Sequence, residues 1–109
     1  MQLSGGRSME ITKELIQNIG KIFENGLEDE YLSRSIGKVI EHEKEKTFEE
    51  SQLLLKDLSQ FESKYNISSE VFFNKFEKGE LGDKEDYFEW SAIFQMYKRT
   101  MERLKMLGG

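Results

Sequence analysis

Cysteine and proline are absent from this chain, and histidine occurs once. Without cysteine there is no disulfide, no thiolate nucleophile and no Cys-based zinc or iron–sulfur centre, and the composition fits a reducing cytosol. Without proline the strongest helix breaker is missing, and glycine is left as the punctuation of the chain. The single histidine, His42, sits in Glu41-His42-Glu43-Lys44-Glu45. A di-iron helical bundle needs Glu-x-x-His twice; here residue 39 is Val39 and there is no second histidine. A Ser-His-Asp arrangement would have only this one base, so His42 is read as a solvated surface residue. No stretch approaches the roughly 20 apolar residues of a membrane span, and no apolar signal-peptide segment stands near the start. The expectation is a cytoplasmic protein with no membrane partner.

What is present is charge and aromatic surface. The 109 residues carry a net charge of −5 and a pI near 5.0. An acidic chain is repelled by phosphate backbones, so direct nucleic-acid binding is not expected; a basic partner protein suits it better. Hydrophobic residues are 37% and charged residues 34%, a modest apolar supply for a compact globule. The eight Phe, four Tyr and one Trp nevertheless argue against disorder, since each ring brings a large buried area. An extended helical hairpin or an oligomer reconciles the two.

Residues 1–8, MQLSGGRS, read as an appended remnant ahead of a native start at Met9. From Met9, Ile11, Leu15, Ile19 and Ile22 form a helical stripe with Ile16 and Phe23 beside it, and Asn25-Gly26 is a stop. Leu27 to Glu43 reads as a second helix with Leu32, Ile36, Val39 and Ile40 on one side. The polar run from Glu41 to Lys46 is either a solvated helix turn or a connection. Thr47-Phe48-Glu49-Glu50 is a capping-box pattern, which favours a break or bend near Lys46. The next helix carries Leu54, Leu58, Phe61 and Tyr65, with Asn66 as its C-cap and Ser68 or Ser69 as the following N-cap. A short helix from Val71 to Lys78 follows, ended by Gly79. Gly82 and Asp83 restart the chain, with Asp83 as N-cap. The fold class is all-α: a single domain over residues 9–109, divided into 9–46 and 47–109, built as a hairpin or bundle of four to five helices.

The last helix has the clearest period. Tyr87, Trp90, Phe94, Tyr97, Met101 and Leu104 are spaced as a heptad seam, widened by Phe88 and Ile93, so coiled-coil-like packing is expected. Glu85, Asp86 and Glu89 near its start and Lys98, Arg99, Arg103 and Lys105 near its end complement the helix dipole. Gly79, Gly82 and Asp83 are read as turn and cap residues. The loop Gly79-Glu80-Leu81-Gly82 does not match a phosphate-binding fingerprint. Glu80 with Asp83 is turn chemistry rather than an acid–base pair. Asp83, Glu85 and Asp86 lack the twelve-residue register of a calcium loop. No catalytic residue, metal site or cofactor is expected. The aromatic seam is a packing surface, belonging either to the internal core or to an interface with a partner or a second copy.

The run YNISSEVFFNKFEKGELGDKEDYFEWSAIFQMYKR, with its Phe-Glu-x-Gly-Glu-Leu-Gly-Asp and Phe-Glu-Trp elements, resembles a family of small prokaryotic proteins on the antitoxin side of two-gene toxin–antitoxin modules. The likeness covers about the last half of the chain; no motif covers Met9 to Lys46. It implies a non-catalytic protein that binds and masks a partner toxin encoded by a neighbouring gene, through a face including Phe72, Phe76, Leu81, Tyr87, Trp90, Phe94 and Tyr97. The alternative is a self-associating structural module whose seam closes a homo-oligomer.

Overall fold

The computed structural model describes residues 5–26 and 30–109, and all the regular structure in them is helical. Four helices follow one another: α1 (Gly5–Glu24), α2 (Glu30–Tyr65), α3 (Ser69–Glu77) and α4 (Glu85–Met106). This is the all-α architecture expected from the periodicity, with the lower of the two helix numbers. The chain divides into two compact units, Met1–Lys38 and Val39–Gly109.

In the first unit, α1 starts at Gly5, so it takes in part of the segment set aside as a remnant. Its stripe is unevenly covered: Ile19, Ile22 and Phe23 are half-buried, whereas Ile11, Leu15 and Ile16 are exposed. The helix stops where Asn25-Gly26 predicts. Gly26 adopts φ +69°, and its N–H donates to the Phe23 carbonyl at 3.1 Å, which satisfies one of the last free acceptors. The expected start of the second helix at Leu27 lies outside the described residues; α2 is seen from Glu30, with Leu32, Ser35 and Ile36 half-buried.

The second unit overturns the expected break at Lys46, because α2 runs unbroken through it to Tyr65. No glycine or proline lies between residues 38 and 78, and the polar run supports its own helix through contacts such as Lys44 to Glu41 at 3.3 Å. The capping-box reading fails for a related reason: Thr47 is not at a helix end but inside α2, 1% exposed. Nearby, the Ser51 hydroxyl donates to the Phe48 carbonyl at 2.6 Å, so this polar stretch of the inward face is internally satisfied.

From Lys44 onward α2 runs antiparallel to α4. Lys44 lies beside Gly108, Glu50 faces Arg103 at 3.8 Å, Phe61 stacks on Trp90, and Lys64 pairs with Asp86 at 2.7 Å. α3 closes this pair at the end where α2 terminates. Asn66 makes the turn with φ 53°, a left-handed conformation that asparagine tolerates better than most residues. The core holds Leu58, Phe72, Trp90 and Phe94, drawn from α2, α3 and α4.

Candidate functional site

Each helix of the second unit brings its rings to one place. The Trp90 indole lies parallel to Phe72, with centroids 3.8 Å apart and planes 5° apart. Phe61 and Tyr65 of α2 stack on the same indole at 5.5 and 5.7 Å. Tyr87 packs on Phe72 and Tyr65 at 5.5 Å each, and Phe76 packs on Phe72 at 5.5 Å. Aromatic pairs at these separations contribute roughly 0.5–1.5 kcal/mol each beyond the area they bury.

The rings at the centre of the seam are buried within this chain. Trp90 is 0%, Phe72 1% and Phe94 8% exposed. Phe76, Leu81, Tyr87 and Tyr97 are half-buried against them. Of the expected binding face, Phe72, Trp90 and Phe94 are thus buried within the chain among rings of α2, α3 and α4, while the other four residues keep part of their surface. Phe88, counted as widening the seam, is exposed and touches it only edge-on through Phe76 at 5.3 Å.

Polar groups lock the stack. Trp90 Nε1 donates to Ser69 Oγ at 2.9 Å, and the Ser69 backbone N–H donates to Glu62 Oε2 at 2.9 Å. Ser69 thus ties α3 to both α2 and α4. Ser68, the residue before it, is the N-cap, its Oγ accepting from the Val71 N–H at 3.2 Å. At the start of α4, Asp86 Oδ2 accepts from Lys64 Nζ at 2.7 Å and from Tyr65 OH at 2.6 Å. These two donors hold the Asp86 carboxyl below the usual carboxylate range, the Lys64 hydrogen bond contributing most. The same carboxylate raises Lys64 and Tyr65 above their ordinary values, through its hydrogen bond to each.

The turn residues divide. Gly79 has φ +72°, its N–H donates to the Phe76 carbonyl, and the Glu80 N–H reaches back to the Lys75 carbonyl, both at 3.0 Å; this is a Schellman closure. Gly82 does not share the positive φ. Asp83 is not the cap of α4: the N-cap is Lys84, without a side-chain cap hydrogen bond. The acid that anchors this helix start is Asp86, held by α2 instead of by the first backbone N–H groups.

His42, Glu80 and Asp83 are all exposed. No group of three or more His, Cys, Asp or Glu side chains is placed to hold a metal ion among the described residues. Nothing in the sequence marks Ser69 as the indole's partner or pairs Phe73 with Lys98. The Lys98 ammonium lies 5.4 Å from the Phe73 centroid and 5.5 Å from that of Phe94. The Phe94–Lys98 spacing of one helical turn was the available signal; the Phe73 contact, from another helix, left none.

The second unit also leaves apolar side chains uncovered, among them Phe48, Leu53 and Leu55 on α2 and Phe88 on α4. A cleft of about 260 Å³ between α2 and α4 carries Asp57, Asp86 and Glu89 with Lys64 around Phe61 and Ile93. No described helix is long and apolar enough to cross a membrane. Comparison with protein-family models, with curated proteins and with solved structures finds no match to this chain.

Proposed function

We propose that this chain is a non-catalytic, cytoplasmic protein-interaction module of the antitoxin kind, which binds and masks a partner toxin. The observation that carries this reading is the uncovered stripe of α1: Ile11 is 46%, Leu15 58% and Ile16 62% exposed. Three large aliphatic side chains on one amphipathic helix form a surface that gains by being covered. The binding face is thereby relocated from the aromatic seam, whose central rings already serve the chain's own core, to the first helix. The net charge of −5 favours a basic partner, as a nucleic-acid-targeting toxin would be. The Gly-Glu-Leu-Gly-Asp and Phe-Glu-Trp elements support the antitoxin assignment by resemblance.

The test is co-expression with the product of the adjacent gene. A complex that co-purifies, and that is weakened by Leu15→Asp with Ile16→Asp, is the expected result. A neighbour that is not a small toxin-like protein, with no complex formed, removes the reading. The second reading, a homo-oligomer, draws on the same stripe, which a second copy would cover equally well. Light scattering separates the two: a stable dimer of the chain alone, dissociated by the α1 substitutions, favours self-association.

A further inference from the structure

The cleft of about 260 Å³ between α2 and α4 combines an apolar floor with charged walls. Phe61 and Ile93, both half-buried, form the floor, and Phe61 is fixed there by its stack on Trp90. Lys64 and Asp86 close one end, paired at 2.7 Å. Asp57 and Ile93 lie two helical turns from that pair, each on its own helix, so the cleft is about 10 Å long at the helical rise.

The charges of this lining do not balance. Three carboxylates, of Asp57, Asp86 and Glu89, share the cleft with one ammonium. That ammonium, of Lys64, is committed to Asp86, which also accepts from Tyr65 OH. Asp57 and Glu89 are exposed, and neither forms an ion pair among the described residues. No base stands one helical turn from either: Leu53, Leu54, Gln60 and Phe61 flank Asp57, and Glu85, Asp86, Ala92 and Ile93 flank Glu89. Nor does a helix end answer them. Asp57 lies well inside α2, and Glu89 lies beyond the first turn of α4, where the helix dipole has fallen off.

The geometry points to this cleft as the seat of an arginine side chain presented by a basic partner protein. The planar guanidinium lies on the Phe61 ring and forks to Asp57 on one helix and Glu89 on the other, while its methylene stem covers Ile93. A carboxylate would meet an excess of like charge here. An uncharged apolar side chain would cover Phe61 and Ile93 but bring the two free carboxylates no partner. The assignment rests on the interaction-module reading and deepens it, by naming what a basic partner presents and where the second unit receives it.

The test is a nitrogen-edited NMR titration of the full chain with N-acetyl-arginine amide and, separately, N-acetyl-citrulline amide, which keeps the length and the terminal plane but carries no charge. The arginine probe is expected to shift the amides of Asp57, Phe61, Glu89 and Ile93, and to bind about two- to five-fold tighter than the citrulline probe, the range of an exposed ion pair. Asp57→Asn with Glu89→Gln is expected to abolish that preference. Glu45→Gln with Glu49→Gln, the same change of charge at exposed positions elsewhere on α2, is expected to keep it; the far-ultraviolet spectrum verifies both double variants as folded. Absent or scattered shifts, equal binding of the two probes, or a preference lost equally in both double variants overturns the assignment. Shifts at the same amides on raising the protein concentration alone also overturn it, in favour of a second copy as the occupant. The adjacent-gene complex distinguishes this failure from that of the functional reading: a complex that forms while the titration fails retains the module and removes the arginine seat, and a titration that succeeds without any complex does the reverse.

Discussion

The indole N–H of Trp90 donates to the Ser69 hydroxyl across 2.9 Å, joining the first residue of α3 to the buried face of α4. Both residues are buried, Ser69 at 3% and Trp90 at 0% exposure, so water cannot replace the acceptor without opening the core. Ser69→Ala leaves the backbone bond to Glu62 in place and strands the indole donor. The expected loss is about 1–3 kcal/mol, the range for a buried group left unsatisfied, measured by urea denaturation. An unchanged midpoint would contradict the bond.

Trp90→Ala removes the ring on which Phe61, Tyr65 and Phe72 all stack. A loss of about 3–5 kcal/mol is expected for a large aromatic truncated inside a core. A near-neutral result would return Trp90 to the surface and revive the seam as a binding face.

Two glycines in one loop should respond differently. Gly79 holds φ +72° with open space where a Cβ would stand, so its substitution is opposed by backbone conformation alone. Gly79→Val is expected to lower stability by about 1 kcal/mol or more. Gly82 has no positive φ and equally open surroundings, and Gly82→Ala should lie within about 0.5 kcal/mol of the parent, as surface changes do. Equal effects at both positions would remove the Schellman closure as the explanation.

The cluster of Asp86, Lys64 and Tyr65 predicts a stability plateau with two edges. The folded-state value of Asp86 is depressed, so its contribution is present above the ordinary Asp value of about 3.9 and is lost as pH falls through the folded value. Lys64 and Tyr65 are raised; their contributions are present below their ordinary values of about 10 and are lost as pH rises through the folded ones. Thermal midpoints of the parent and of Asp86→Asn, followed across pH, should differ most near neutrality and converge at both extremes. A difference constant with pH would show that the carboxylate is not held by these donors.

The helices were legible where apolar spacing and glycine agreed. Asn25-Gly26 and Gly79 ended α1 and α3 as read, because a left-handed residue leaves a local mark in the sequence. Lys46 was misread because Thr47-x-x-Glu50 resembles a helix start. The resemblance carries no information about whether Thr47 faces a neighbouring helix, and it does: its burial belongs to the pairing of α2 with α4, which is non-local. Asp83 failed as a cap for the same kind of reason, since the loop places Lys84 at the boundary and Asp86 in the reach of α2. The seam on α4 was visible as a heptad, but its partner was not, because Leu58, Phe61 and Tyr65 arrive from a helix more than 20 residues away in the chain. Ser69 gave no signal at all; a serine near a helix start looks like a cap whether or not an indole lies above it.

Trp90 is the only tryptophan in the chain, and its ring neighbours come from α2 and α3 around its own place on α4. Its emission is therefore a gauge of the ring stack that α2, α3 and α4 build. Circular dichroism, by contrast, weighs every helical residue alike. Following both signals through one heating scan would divide the melt into its parts without any added label: coincident curves would mean that the first helix rises and falls with the rest, and an ellipticity change preceding the emission change would mean that it frays away while the ring stack still stands.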